Sequence, residues 1–182
     1  PSLPADALLS HIAPHKDVDG LSSVSMGRLC SRLPGFMPCT AAATLALLDY
    51  YKINVDGKHA VIVGASVVVG RPTALALLHR HATITICHAA TSNLALHISQ
   101  ADILVVAIGN PSVIKLDWLR PDTVVIDIGI NRTNTGRVIG DVPAEAASQV
   151  RALTPVPGGV GPVTVATLLA NLYRAYREQV DA

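Results

Sequence analysis

The run Gly64-Ala-Ser-Val-Val-Val-Gly70-Arg-Pro72 follows an apolar β-branched stretch and leads into a helix-compatible one. A dinucleotide's pyrophosphate needs backbone that can come close and N–H donors that lack another partner, and a glycine turn entering a helix N-terminus offers both. The spacing is not that of Gly-x-Gly-x-x-Gly, so the pair of glycines alone also fits a plain strand-to-helix turn. A second run, Thr154-Pro-Val-Pro-Gly-Gly-Val-Gly-Pro162, holds three glycines and three prolines in nine residues. Prolines stiffen such a loop while glycines leave bare backbone on which a flat ring can lie. A third, His15-Lys-Asp-Val-Asp-Gly20, is a charged turn whose carboxylates could bind a polar ligand or simply close an Asx-turn at the surface.

The end of the second strand decides between nicotinamide cofactors. An NAD site places Asp or Glu there, about 20 residues after the glycine loop, to hold the ribose 2′-OH. Here the segment is Cys87-His-Ala-Ala-Thr91, without an acid, and Arg71, Arg80 and His88 are the cations at hand. That favours a 2′-phosphate and hence NADP, with NAD as the alternative; Arg80 reads better as a solvated surface residue.

The elements that must position these runs alternate β-branched stretches with helix-like ones, the rhythm of a parallel α/β unit. Strands are expected at His59–Gly64, Thr83–Cys87, Asp102–Ile108 and Thr123–Ile128, four in all, with helices from about Pro72 to Arg80 and within Ser92–Gln100. The turn signal Asn134-Thr-Gly136 predicts a small hairpin or loop between residues 131 and 141. Helices are also expected over Thr40–Lys52 and Val163–Gln179. The latter places Val165, Leu168, Leu169, Leu172 and Tyr176 on one face, with Pro162 suited to its first turn. Residues 1–39, with five prolines, read as loop.

Composition narrows the function classes. Half of the 182 residues are hydrophobic but only 3% are aromatic, so the core must be aliphatic, as in a parallel sheet buried on both faces, and a base-stacking surface is not expected. A net charge of +1 gives no general attraction to nucleic acid or anionic membranes. No apolar run reaches the length of a membrane span, and no signal peptide is visible. Cys30, Cys39 and Cys87 are odd in number and widely spaced, which predicts neither disulfides nor a metal site and fits a reducing cytoplasm.

Lys16-Asp-Val-Asp-Gly20, Pro38-Cys-Thr40, Gly64-Ala-Ser66 with Val69-Gly70 and Pro72, Thr85-Ile-Cys-His88, Asp127-Ile-Gly-Ile-Asn131, Gly140-Asp-Val142 and Thr154 to Pro162 occur in this order. Together they resemble the bifunctional methylenetetrahydrofolate dehydrogenase/methenyltetrahydrofolate cyclohydrolase family, from about Ile12 to Asn171. The resemblance implies a cytoplasmic homodimer of one-carbon metabolism that oxidises 5,10-methylenetetrahydrofolate with NADP and hydrolyses the methenyl product to 10-formyltetrahydrofolate. It assigns Asp19 to the pterin, and Pro157, Gly158, Gly159, Val160 and Gly161 to the wall of the folate site. Gly64, Ala65 and Ser66 become the cofactor loop and Ile130 a backbone contact near the nicotinamide; Gly70, Arg71, Pro72 and His88 complete the expected cofactor set.

The family's catalytic Tyr-x-x-x-Lys motif lies in a preceding segment of the family pattern and has no match here. The lysines are Lys16, Lys52, Lys58 and Lys115, and Tyr50-Tyr51-Lys52 has the wrong spacing, so no catalytic residue is assigned. Ala41 and Ala43 replace the family's usual Pro and Gly, and Ala65 stands where Arg is common. The expected architecture is a Rossmann-like parallel sheet with flanking helices over residues 41–152. Residues 1–40 and 153–182 are read as remnants of a second α/β folate-binding domain. The chain is thus expected to be a fragment of a longer enzyme, or a relic retaining the cofactor half as a non-catalytic nucleotide-binding or dimerisation module.

Overall fold

The computed structural model describes Leu9 and residues 11–181. The prolines at positions 1 and 4, part of the stretch expected to be loop, lie outside the described residues. The centre is a parallel five-stranded sheet in the order β2-β1-β3-β4-β7, formed by β1 (His59–Val63), β2 (Thr83–Cys87), β3 (Ile103–Val106), β4 (Val124–Asp127) and β7 (Ala152–Leu153). Val61 pairs with Thr85 on one side and Leu104 on the other, and Leu104 with Val125 in turn. Val63, Cys87, Val106 and Asp127 therefore end their strands level with one another, and the four following loops emerge along a single edge.

The strands form where expected because Val and Ile suit a pleated surface buried on both sides. Every residue of β3 and β4 is buried. Alternation sends Ile62 and Val105 into one apolar layer, with Ala43, Leu48 and Leu77, and Val61 and Leu104 into the other, with Ile98 and Val125. The first layer is covered by α2 (Cys39–Tyr50) and α3 (Gly70–Leu78), the second by α4 (Leu94–Ser99). Beyond the sheet, β5 (Asn131–Arg132) and β6 (Val138–Ile139) pair antiparallel in the expected hairpin.

The structure corrects the sequence reading in four places. The sheet has five strands, because two-residue β7 is too short to show a pattern. Residues 1–39 are not wholly loop: α1 spans Ser23–Cys30, started by the Ser22 hydroxyl, which accepts from the Ser25 N–H. Helix α3 begins at Gly70 and ends at Leu78, two residues earlier at each end than expected. Finally, α5 runs Val160–Val180, and its anticipated apolar face is solvent-facing: Val165, Leu169, Leu172 and Tyr176 are all more than half exposed. The helix seats Val160 and Ala175 inward instead, and it packs against α2. Among the described residues no helix is long and apolar enough to cross a membrane.

Candidate functional site: a cofactor cleft at the strand ends

Strand order reverses between β1 and β3, since β1 connects to β2 on one side and β3 lies on the other. In open α/β sheets, ligands bind beyond the carboxyl strand ends at such a switch point. Gly64 leaves β1 there with φ +119, and a Cβ at this position would strike the Ala107 carbonyl oxygen of the loop after β3. A Cβ at Gly70 would in turn strike the Gly64 carbonyl oxygen, so the turn closes on itself through its glycines. Pro72 is buried in the first turn of α3.

Ser66 organises the turn. Its hydroxyl oxygen accepts the Val69 N–H at 3.1 Å and the Gly70 N–H at 3.4 Å, and its carbonyl accepts the Arg71 N–H at 3.0 Å. Amides expected to await a phosphate are thus partly engaged within the loop, and the Ser66 hydroxyl, which accepts them, keeps its own hydrogen to donate. Arg71 is exposed, and its Nε donates to the Ala65 carbonyl at 3.0 Å. His88 sits beyond β2, adjoining the turn because the Gly64 N–H donates to the Cys87 carbonyl at 2.9 Å; its Nδ1 accepts from the Ala90 N–H. Arg80 is not at the site: it forms a two-pronged ion pair with Asp49, at 3.0 and 2.8 Å.

At the end of β4 two buried acids arrange the backbone. The Asp127 carboxylate accepts N–H groups from Gly129, Asp141 and Val142 at 2.9–3.0 Å. Burial pushes its carboxyl above the ordinary carboxylate range, the three amides work against that shift, and the neighbouring Asp141 charge reinforces it. Ile130, the expected nicotinamide neighbour, is 70% exposed at the rim of this arrangement.

One cavity of about 450 Å³ gathers Ile130 and Gly129 together with Pro157, Gly158, Gly159 and Gly161. The expected cofactor contact and the expected folate wall therefore share a surface. Asp127 and Thr40 also line it. A larger apolar cavity, about 780 Å³, lies between α2 and the β4–β7 edge and shares Gly158 and Gly159 with the first, but none of the expected cofactor residues lines it.

Asp19 approaches from the N-terminal side, half-buried, its Oδ1 accepting the Cys39 N–H at 3.4 Å. Its loop is fastened from both directions. Asp17, 3% exposed, accepts from the Leu21 and Ser22 N–H groups and the Ser25 hydroxyl, at 2.6–3.1 Å. The Val18 carbonyl accepts from the Asn171 amide at 2.9 Å and from the Cys39 thiol at 3.6 Å. Burial, then the Asp19 carboxylate, push the Cys39 thiol up to about 12, so it remains a donor rather than a thiolate nucleophile. Asp17, Asn171, Asp127 and Asp141 were not assigned roles in the sequence, although the three aspartates fall within the motifs that carry the resemblance.

A doubly wound parallel sheet with a glycine turn at its switch point and a ligand-sized cavity beside it defines a Rossmann-like nucleotide-cofactor domain. Residues 38–180 match the family described as tetrahydrofolate dehydrogenase/cyclohydrolase, NAD(P)-binding domain, and the chain belongs to that family. It is 51% identical over 174 residues to the bifunctional protein FolD of Neisseria gonorrhoeae, covering 95% of this chain and 61% of that relative. It superposes with TM-score 0.93 on the bifunctional FolD dehydrogenase/cyclohydrolase of Campylobacter jejuni, at 42% identity, covering 96% of this chain and 62% of that one. The corresponding figures for the Trypanosoma brucei FolD complexed with NADP cofactor and inhibitor are 0.92, 37%, 100% and 65%. The chain thus spans about three fifths of the length of its curated relatives.

Proposed function

We propose that this chain supplies the cofactor site and part of the folate site of an NADP-dependent methylenetetrahydrofolate dehydrogenase/methenyltetrahydrofolate cyclohydrolase, acting as a cytoplasmic homodimer. In this reading residues 41–152 form the cofactor unit, and residues 1–40 and 153–182 belong to the folate-binding part. The observation that carries it is the single cavity shared by Ile130 and the Pro157–Gly161 wall, which would set a nicotinamide beside a folate. Hydride transfer requires little of the protein beyond such proximity and orientation.

The residues present fit the cofactor. Gly64 and Gly70 leave room only for backbone, the Ser66 hydroxyl can donate to a phosphate oxygen, and the N-terminus of α3 favours negative charge by about 0.3–1 kcal/mol. Arg71, bonded to Ala65 within the turn, and His88, just beyond β2, are the cations next to it that a 2′-phosphate would engage. When bound, NADP supplies a nicotinamide ring that accepts hydride from the methylene bridge of the folate. The chain's own part is to hold the pterin through Asp19, to present Ile130 backbone at the nicotinamide end, and to exclude water with the wall. General acid–base help, typically about 10²–10⁴-fold, is not assigned to any residue here.

Calorimetric titration with NADP and NAD tests the reading. NADP should bind more tightly, and Gly70→Val should abolish binding; Ser66→Ala, which fills no space, should weaken it. Equal affinities for the two cofactors would remove the NADP preference. Unchanged NADP binding in a folded Gly70→Val variant would reduce the loop to a turn. Hydrolysis of methenyltetrahydrofolate, followed by absorbance, should be negligible for these 182 residues. It should appear when a segment bearing Tyr-x-x-x-Lys precedes them.

A further inference from the structure

Asp141 lines neither of the two cavities described above, yet it is bonded to backbone or side chain on both sides of the cofactor cleft. We propose that Asp141 is a positioning residue for the nicotinamide half of the cofactor, holding the loop after β4 against the loop after β3. The proposal rests on the cofactor reading above.

The side chain is wholly buried. Its Oδ2 accepts the Ile108 and Gly109 N–H groups, at 2.8 and 2.9 Å, and so holds the loop after β3. That same loop contributes the Ala107 carbonyl against which Gly64 turns. Its Oδ1 accepts the Asn131 side-chain amide at 2.8 Å, and that amide also donates to the Gly140 carbonyl at 3.0 Å. Ile130 directly precedes Asn131 in the chain. On its other flank, Gly129 presses against the Asp141 carboxyl group so closely that a Cβ there would collide with it. Both neighbours of Ile130 are thus in contact with one carboxylate, and the Asp141 N–H is itself anchored on Asp127.

The chemistry explains why an acid is needed in so costly a place. Among the described residues no ion pair is formed by Asp141, and a second carboxylate, Asp127, adjoins it. Burying a charge under those conditions is unfavourable unless hydrogen bonds replace the lost water. Three donors converge on the two oxygens, and an ionised carboxylate accepts them all. A carboxamide keeps one acceptor oxygen, enough for Ile108 and Gly109, but turns a second NH₂ against that of Asn131. The break therefore falls on the Ile130 side.

The experiment compares NADP with 2′,5′-ADP, which lacks the nicotinamide half, in calorimetric titrations of the wild-type chain, Asp141→Asn, Asn131→Ala and the double variant Asp141→Asn/Asn131→Asp. Asp141→Asn and Asn131→Ala should each weaken NADP by about tenfold, with 2′,5′-ADP unchanged. The double variant exchanges donor and acceptor across the Asp141 contact but sets a carboxylate oxygen against the Gly140 carbonyl, so it should regain only part of the NADP affinity. Equal losses for both probes, or NADP affinity unchanged in folded Asn131→Ala, would overturn the positioning role. Failure of the wild-type chain to bind either probe would instead overturn the cofactor reading beneath it.

Discussion

Asp17 and Asp127 are each 3% exposed and each gathers the amides of a loop, but their carboxyl groups shift in opposite directions. At Asp17 burial is again the largest single influence and raises the value. The Ser22 and Ser25 bonds and the Leu21 amide together outweigh it, so the carboxyl falls below the ordinary range. Asp127 lies deeper, at the end of a central strand, and shares its surroundings with Asp141; its three amides do not compensate. Accessibility alone therefore misses what distinguishes them. The Asp17 loop is a stable bracket that presents Asp19, whereas the Asp127 knot holds a carboxyl whose ionisation its surroundings disfavour.

The hardest blow to the second region should come from Gly140→Ala, because a methyl there would drive into the Asp127 carboxylate. A loss of about 4 kcal/mol or more is expected, read from the midpoint of urea unfolding. A tolerated substitution would mean the knot is loose and the contrast with Asp17 false. Next in size are the isosteric changes, each leaving an amide donor against a backbone or hydroxyl donor, at about 1–3 kcal/mol. Asp17→Asn should cost more than Asp127→Asn, since the latter also relieves a charge that burial and Asp141 disfavour. The reverse order would break the comparison.

The pH dependence sharpens it further. Because the folded value of Asp17 is depressed below 3.8, its stabilisation is present above that pH and is lost as pH falls through the folded value. Asp17→Asn should flatten the acid limb of stability below 3.8. Asp127 is raised above 3.8, so its contribution is complete below 3.8 and is lost as pH rises through the folded value. The stability difference between wild type and Asp127→Asn should accordingly drift in favour of the variant as pH climbs from about 3 to about 7. Urea unfolding across that range reads both slopes.

The smallest effect is expected at a pair that is not buried at all. Arg80 and Asp49 are about half exposed, so Arg80→Ala should cost under about 1 kcal/mol and leave NADP affinity unchanged. A thermal melt and one titration suffice. A loss of NADP affinity there would reopen Arg80 as a phosphate ligand.

Strands β1 to β4 were legible because buried β-branched runs have few other uses, and the glycine turn was legible from its place between strand and helix. Helix α1 was hidden by its polar start, Leu21-Ser-Ser-Val-Ser, where the stabilising partner is Asp17, a residue outside the helix. The apolar stripe of α5 announced a buried face; the chain buries Val160 and Ala175 instead. Of the aspartates, Asp19 stood out only through the family resemblance. Nothing in a separation of 14 residues reveals that Asp127 and Asp141 meet, because that contact is made by the return of the β5–β6 hairpin.

The bond from Asn171 to the Val18 carbonyl spans 153 positions. During synthesis, at about 5–20 residues per second, the sheet's first three strands can emerge and pair while the Asp19 loop still lacks its C-terminal partner. The loop that presents Asp19 is therefore held at first by Cys39 and by the Asp17 bonds alone, and its last tie closes only when α5 has left the ribosome.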